Sequence, residues 1–237
     1  MSVSIVKALI ILSGGQDSTT CAAIARQQFE EVHAVTFNYG QRHKIEIESA
    51  IEVAKLLNLD SHEIIDLGKI LIGSSPLVSD RPVGQYESAD DLPGGIEPTF
   101  VPGRNLLFLT IAANRFAALG VKNLFIGVCE ADYGGYPDCR QTFIDFAAKT
   151  IGDGFYGNPE SFIIHTPLMR LTKAQSVSLA YEVMGDRFNA IMGATHTCYN
   201  GIKGGCGKCH ACILRDKGFK ESGLKDPLLD VRKRVEQ

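Results

Sequence analysis

The chain has 237 residues, 45% of them hydrophobic, which is enough to bury the core of one sizeable α/β domain. Its net charge is −3, from 24 Lys and Arg against 27 Asp and Glu, so no overall basic field draws it to a nucleic-acid backbone. The apolar runs at residues 8–12 and 106–113 are too short for a signal peptide and a transmembrane helix, respectively. The composition favours a cytoplasmic protein that acts on small molecules.

Apolar stretches rich in β-branched residues alternate with segments of helical period, which is the pattern of β-α-β units. We therefore predict an α/β fold with a doubly wound, mostly parallel five-stranded sheet. The predicted strands cover residues 5–12, 32–38, 61–66, 122–128 and 161–165. The predicted helices cover residues 17–28, 43–58, 104–119, 140–150 and 173–184, with Gly120 and Gly185 as C-terminal caps.

The first predicted strand runs directly into a glycine-rich turn at the start of a helix, residues 13–18 (SGGQDS). Unpaired N–H groups and the dipole at a helix N-terminus favour an anion, and two glycines allow close backbone approach. The turn therefore suits a phosphate, although a plain strand-to-helix turn capped by Asp17 or Ser18 would use the same residues. Neither the lysine of a Walker A loop nor a G-x-G-x-x-G fingerprint is present.

Residues 73–103 contain several prolines and glycines, so we predict a long, mostly irregular segment that acts as a lid or binding element. In a doubly wound sheet whose fourth strand lies beside the first, ligands bind outside the carboxyl ends of those two strands. That rule places residues 13–18 next to residues 127–130, and residues 131–140 then form a wall of the pocket. The acids, tyrosines and arginine of this wall suit a planar base with an exocyclic amine.

Arg104 and Lys173 are cationic residues that each begin a predicted helix near the mouth of this pocket. Either could neutralise the charge of a triphosphate, although either alone is more often a surface residue. Cys129 and Cys139 flank the wall of the pocket, where a reactive thiol is one of the open alternatives.

Four cysteines form a C-x7-C-x2-C-x2-C array near the C-terminus: Cys198, Cys206, Cys209 and Cys212. Such density in a cytoplasmic chain indicates a metal site rather than disulfides. Zinc on four sulfurs would be structural, and an iron–sulfur cluster is the alternative. The further cysteine and proline of a ferredoxin run are missing after Cys212, which favours zinc. Because the composition changes at residue 193, we predict a catalytic domain over 1–192 and a four-cysteine zinc-binding region over 193–237.

The motifs SGGQDSTTC, FNYGQRH, TFVPGRN, GVCEADYGGYPDCR, TPL with LTKA, and TCYNG with CGKCHAC occur in this order between residues 13 and 212. Together they resemble the 7-cyano-7-deazaguanine synthase family of the PP-loop ATP pyrophosphatase superfamily. The resemblance implies a ligase that converts 7-carboxy-7-deazaguanine and ammonia to the nitrile preQ0 by successive adenylation, for queuosine synthesis. It also implies ATP with Mg²⁺ as substrate, one structural zinc ion per chain and a homodimer.

The resemblance also implies roles for individual residues. The catalytic residues would be Asp17, Ser18, Arg104 and Lys173. ATP would be bound by Leu12, Ser13, Gly14, Gly15, Gln16, Asp17, Ser18, Thr19, Thr20 and Lys173. The base would be bound by Arg104, Glu130, Asp132, Tyr136, Asp138 and Arg140. Zinc would be held by Cys198, Cys206, Cys209 and Cys212.

Two other functions remain open from the sequence. A PP-loop tRNA-modifying enzyme such as a thiolase would use the cysteine cluster and the basic residues of 203–234 to bind RNA. It would also need a sulfur carrier or a catalytic cysteine pair, for which only Cys129 and Cys139 are available. A zinc-containing nucleotide sensor without turnover is the second alternative. Neither a membrane nor a nucleic acid is an expected partner.

Overall fold

The computed structural model describes residues 6–73, 75–93, 95–130 and 135–235, with side chains as far as residue 232. One five-stranded sheet is formed by β1 (Lys7–Ile11), β2 (Glu31–Asn38), β3 (Ser61–Asp66), β4 (Asn123–Phe125) and β5 (Ile163–His165). All pairings are parallel and the strand order is β3-β2-β1-β4-β5. The predicted doubly wound α/β fold is confirmed, and the fourth strand lies beside the first.

Eight helices are found in the described residues. They are α1 (Gln16–Gln28), α2 (Ile45–Leu56), α3 (Arg104–Ala117), α4 (Gln141–Tyr156), α5 (Lys173–Met184), α6 (Phe188–Gly193), α7 (His210–Ser222) and α8 (Leu228–Val235). None of the helices in these ranges combines the length and apolar character that crossing a membrane requires.

Alternate residues of β1 point to opposite faces of the sheet and enter two separate cores. Ile10 and Leu12 join the core formed with α1, α2, α5 and α6. Leu9 and Ile11 join the core formed with α3 and α4. Because β1 is covered on both faces, it has a nearly continuous apolar sequence, as parallel strands usually do.

The predicted limits of the helices and strands agree best with the structure where a capping motif is present in the sequence. Helix α5 has its predicted limits, because Thr172 and Gln175 form a capping box at its start and Gly185 is its C-cap. Helix α4 is longer than predicted and ends only at Gly157, which has a φ of 63°. Strand β4 is shorter than the predicted 122–128, because the backbone at Gly127 turns against α1 instead of continuing along the sheet. The start of the first predicted strand, residue 5, lies outside the described residues.

Within its described residues, segment 73–103 is irregular apart from a 3-10 turn at Ala89–Asp91, as predicted. The segment is nevertheless packed onto the protein. Ser75 Oγ donates a hydrogen bond of 2.9 Å to the carbonyl of Thr99, and Glu97 is only 2% exposed. The N–H of Tyr86 donates to the carbonyl of Lys208 at 2.8 Å, which attaches this segment to the cysteine-rich region.

A buried ion pair connects the C-terminal helices to the rest of the chain. Arg215, which is 2% exposed, donates from Nε and Nη2 to the two carboxylate oxygens of Asp226 at 2.7 and 2.8 Å. It also donates to Thr195 Oγ1 at 2.7 Å and to the carbonyl of Met192 at 3.2 Å. Arg215 therefore joins α7 to the end of α6 and to the segment before α8. The proposed boundary at residue 193 remains a prediction.

We expect Asp226→Ala to lower the free energy of unfolding by about 3–5 kcal/mol, because it leaves the buried guanidinium of Arg215 without its counter-ion. The measurement is urea unfolding followed by circular dichroism. Asp216→Ala is the matched control, because Asp216 pairs with Lys220 at 2.6 Å on the exposed face of α7 and should cost less than about 0.5 kcal/mol. Equal effects of the two substitutions would contradict the role given to the buried pair.

Candidate active site

The turn between β1 and α1 forms an anion-binding loop. Gly15 is the N-cap of α1 and no side chain caps the helix. The first intrahelical hydrogen bond runs from Thr19 N–H to the carbonyl of Gly15 at 3.1 Å, so the N–H groups of residues 16–18 remain available to a ligand. The Gly15 N–H donates to Ser13 Oγ at 3.3 Å. Ser18 Oγ accepts from Ser13 N–H at 3.1 Å and lies 3.0 Å from Ser13 Oγ. The two hydroxyl groups are therefore held together at the mouth of the loop.

Two glycines are needed because other backbone segments press against this loop. Gly14 has a φ of 81°, and a Cβ atom there would collide with the carbonyl oxygen of Glu46 and lie 2.8 Å from the N atom of Ala50. A Cβ atom at Gly127, after β4, would lie 2.7 Å from the N atom of Ser18. The loop is thus enclosed by α2 on one side and by the carboxyl end of β4 on the other.

Lys173, at the start of α5, reaches the same loop. Its Nζ lies 2.9 Å from Asp17 Oδ2, and the two side chains are 11% and 26% exposed. Lys173 and Asp17 therefore form an ion pair at the edge of the loop. A positive charge fixed here lies where the charge of a bound polyphosphate would need an opposite partner.

A cavity of about 310 Å³ opens from this loop, within the size range of small-molecule sites. The residues from the first three motifs that line it are Ser13, Gly15, Gln16, Asp17, Ser18, Phe37, Tyr39, Gln41, Arg42, His43, Arg104 and Asn105, and Leu12 lines it just before the first motif. Later parts of the chain contribute Gly127, Cys129, Tyr136, Cys139, Lys173, His196, Thr197, Tyr199 and His210. The cavity thus joins the anion loop to a second part, the aromatic compartment, which is lined by Tyr39, Tyr136 and Tyr199 together with Arg104.

Arg104 is the central cation of the aromatic compartment. Burial would lower the pKa of Arg104, but Tyr39, Tyr199 and Asp138 outweigh that effect and raise it, so the guanidinium stays charged. Burial also raises the pKa of Tyr136 to about 12, and its hydroxyl shares a hydrogen bond of 2.6 Å with Thr99. The compartment therefore offers a fixed cation and neutral phenol groups to a planar ligand.

Glu46 is a cavity residue that sequence reasoning missed. It is half-buried on α2 and lines the cavity. Burial raises the pKa of Glu46 to about 7, although the positive charge of Arg104 opposes the rise. The sequence IEIESAIE did not single out Glu46, because it contains three glutamates with similar neighbours. The structure shows that the other two, Glu48 and Glu52, are exposed.

Several predicted site residues do not line the cavity. Glu130 accepts the Gln141 N–H at 2.7 Å at the start of α4, and Arg140 is the N-cap of that helix. Asp138 lies beneath the compartment, where its carboxylate accepts the Asn105 N–H at 3.4 Å and supports the charge of Arg104. Asp132 lies outside the described residues.

Three further residues of the predicted nucleotide site contribute to the framework of the loop rather than to the cavity wall. Gly14 packs against α2, and Thr19 is fully buried in α1. Thr20 donates from its hydroxyl to the carbonyl of Gln16 at 2.8 Å.

The four cysteines of the C-terminal array come together as predicted. The Sγ atoms of Cys198, Cys206, Cys209 and Cys212 all lie within 4.8 Å of one another. Cys206 Sγ and Cys212 Sγ are 3.9 Å apart, and one tetrahedral ion with metal–sulfur bonds of about 2.3 Å sets its sulfurs about 3.8 Å apart. The four thiol groups could therefore hold a single metal ion.

The charges in and around the cysteine cluster suit a metal ion held by four thiolates, which together carry a net negative charge. A hydrogen bond with Cys198 raises the pKa of Cys209 to about 12, whereas the same contact lowers the pKa of Cys198. Thiols at this spacing therefore resist losing all four protons unless a cation compensates the charge. The guanidinium of Arg232 donates to the carbonyl of Gly204 at 3.0 Å and places a positive charge over the loop that carries Cys206.

Residues next to the cysteines of the cluster form part of the cavity wall. Thr197 and Tyr199, on either side of Cys198, line the cavity, as do His210 and Ala211, between Cys209 and Cys212. The N–H of His196 also donates to the carbonyl of Gly14 at 2.8 Å. Metal binding would therefore fix one wall of the cavity and support the anion loop.

Known proteins are similar to this chain over almost its whole length. The family model described as Queuosine biosynthesis protein QueC matches residues 7–223. A relative from Gloeobacter violaceus, named 7-cyano-7-deazaguanine synthase, is 60% identical over 227 residues, which are 96% of this chain and 97% of the relative. A relative of the same name from Lysinibacillus sphaericus is 46% identical over 219 residues, 91% of this chain and 94% of the relative. Among solved structures, NMN synthetase from Francisella tularensis is similar with a TM-score of 0.48 and 14% identity, over 98% of this chain and 85% of that one.

We expect Gly14→Ala to destabilise the protein by about 1–3 kcal/mol more than Gly68→Ala, as measured by urea unfolding. Both glycines have a positive φ, so both substitutions carry the backbone cost of about 1–2 kcal/mol. Only Gly14 faces the backbone of α2, whereas a Cβ at Gly68 meets nothing within 4 Å. If both variants lost the same stability, the contact with α2 would not constrain the loop.

We expect Cys209→Ser to lose the bound metal and to unfold residues 194–220, because three remaining thiolates leave the ion incompletely held. Metal content is measured by mass spectrometry and local unfolding by hydrogen exchange. Cys21→Ser is the control, because Cys21 is buried on α1 away from the cluster. A Cys209→Ser protein that retains one equivalent of metal and full protection would disprove the role of this ligand.

Proposed function

We propose, from the premise that this chain belongs to the family of the queuosine biosynthesis protein QueC, that it converts 7-carboxy-7-deazaguanine to 7-cyano-7-deazaguanine with ATP and ammonia. The observation that carries this proposal is the single cavity that joins an anion loop to an aromatic compartment with a charged Arg104. An adenylating enzyme must hold a polyphosphate and a flat acid side by side, and this cavity offers a place for each.

The anion loop suits the pyrophosphate end of ATP. Its free N–H groups at the start of α1 and the hydroxyls of Ser13 and Ser18 are donors that a phosphate requires. Lys173 supplies the nearby positive charge, and its ion pair with Asp17 holds the ammonium group at the edge of the loop. As pyrophosphate departs, these groups would stabilise its increasing negative charge. Mg²⁺ is expected to accompany the phosphates of the substrate.

The chemistry requires two activations, because a nitrile has lost both oxygen atoms of the acid. In the first, a carboxylate oxygen attacks the α-phosphorus of ATP, the bond to the bridging oxygen breaks, and pyrophosphate leaves. Ammonia then attacks the acyl carbon, AMP leaves with that oxygen, and a proton is released to give the amide. In the second, the amide oxygen attacks a second ATP, pyrophosphate leaves, and loss of AMP and protons gives the nitrile. The protein supplies positioning and charge stabilisation for each step.

Zinc is the metal that best fits the cysteine cluster. The four sulfurs lie close enough to share one tetrahedral ion, and four thiolates leave it no open position for catalysis. An iron–sulfur cluster would bind its cysteines through separate iron atoms and would need the sulfurs further apart. The zinc ion would then serve to fix the wall formed by Thr197 and Tyr199.

A tRNA-modifying thiolase is the less favoured alternative. Cys129 and Cys139 both line the cavity, but the Cys129 thiol donates to the carbonyl of Leu171 at 3.0 Å and Cys139 lies next to Asn105. These contacts are those of packed thiols and do not single out a sulfur-transfer pair. A cytoplasmic location and a homodimer remain predictions.

We expect the protein to form two AMP and two pyrophosphate molecules for each nitrile, when it is incubated with ATP, ammonium and the 7-carboxy base. With both carboxylate oxygens labelled as ¹⁸O, each AMP should carry one heavy oxygen, because each adenylation removes one of them. Mass spectrometry of the nucleotides measures this. Formation of ADP, unlabelled AMP, or ATP consumption that requires tRNA would contradict the proposal.

The same assay tests whether the anion loop contributes to the reaction. Ser18→Ala should lower AMP formation at least about 100-fold, because it removes a donor to the leaving pyrophosphate, and should leave the metal content unchanged. Lys220→Ala is the control, because Lys220 lies on the exposed face of α7 and should leave the rate unchanged.

A further inference from the structure

The carboxyl group of Glu46 is a titratable group of the cavity that the proposed reaction does not use. Within the described residues, no hydrogen-bond donor or cation lies within bonding distance of this carboxylate. Glu46 is half-buried, lines the cavity and lies in the electrostatic field of Arg104. A carboxylate removed from bulk water without a hydrogen-bond donor is costly unless a ligand supplies one. Glu46 therefore indicates a ligand with N–H groups.

The position of Glu46 excludes phosphate as that ligand. A carboxylate repels a polyphosphate, and the cavity already provides donors for phosphate at the start of α1. Glu46 interacts electrostatically with Arg104, with the phenol groups of Tyr39 and Tyr199, and with the Cys198 thiol of the cysteine cluster. This surrounding suits the edge of a planar base.

A guanine-type ring presents three groups along one edge: a carbonyl oxygen, a ring N–H and an exocyclic amino group. One carboxylate can accept hydrogen bonds from two adjacent N–H groups, and a guanidinium can donate to the carbonyl oxygen. An adenine edge offers one amino group beside an unprotonated ring nitrogen, which would face a carboxylate without a proton between them. A carboxylate next to a guanidinium therefore matches the guanine-type edge and disfavours the adenine edge.

We propose that Glu46 and Arg104 together recognise the pyrimidinone edge of the 7-deazaguanine substrate through hydrogen bonds. Glu46 accepts from the ring N–H and the 2-amino group, while Arg104 donates to the carbonyl oxygen. This inference rests on the proposed function, because it assigns the base-recognition end of the same cavity. It makes Glu46 the residue that selects a 2-amino base, and it leaves the anion loop for ATP.

The test compares the 7-carboxy base with its analogue that lacks the 2-amino group. The wild-type protein should prefer the 2-amino compound by about 100-fold in kcat/KM, because the analogue leaves a buried acceptor without its donor. In Glu46→Gln this preference should fall to about threefold or less, with the KM for ATP unchanged. Glu48→Gln is the matched control, because Glu48 lies on the same helix with an exposed side chain and should keep the wild-type preference.

Three results would overturn the inference. Glu46→Gln could keep the wild-type preference, it could change only the KM for ATP, or the wild-type protein could bind both bases with equal affinity in calorimetry. The calorimetric measurement needs no variant, so equal affinity for the two bases would overturn the inference even when Glu46→Gln does not fold. A wild-type protein that binds the 2-amino base selectively but forms neither AMP nor nitrile would instead refute the proposed function and leave this inference standing.

Discussion

The site depends on the close packing of backbone around the turn between β1 and α1. Gly14 touches the backbone of α2, Gly127 touches the first turn of α1, and the carbonyl of Gly14 accepts a hydrogen bond from His196. Backbone atoms cannot move aside as long side chains can, so the turn has one well-defined shape. The shape of the anion loop is therefore set before any ligand is bound, which lowers the entropy cost of binding.

The same packing brings together three segments that are far apart in sequence. Helix α2 contributes Glu46 and the start of α5 contributes Lys173. The segment that follows α6, together with the first turn of α7, contributes Tyr199 and the cysteine cluster. The metal site is thus continuous with the cavity instead of being a separate appendage. One cavity is therefore lined by residues from segments that are far apart in sequence. The motifs are accordingly distributed over nearly the whole chain.

Much of this arrangement could be predicted from sequence, because it depends on local patterns. Residue periodicity predicted the five strands, the glycine-rich turn after the first strand predicted the anion loop, and cysteine spacing predicted the metal cluster. The base-recognition end could not be predicted, because it depends on tertiary contacts. Glu46 resembles the exposed glutamates beside it until α2 packs on Gly14, whereas Glu130 looked like a ligand group and instead accepts the Gln141 N–H. Helices α6 and α8 were too short to give a periodic signal.

The strand order leaves β3 and β5 at the two margins of the sheet. Unpaired backbone groups at such margins can recruit a strand from another molecule and begin fibril growth. Strand β5 is only three residues long, and β3 carries Glu63 and Asp66, with Glu63 bound to Arg115 at 2.6 Å. Short length and charge both oppose such recruitment, so the sheet is protected against self-templated aggregation at either margin.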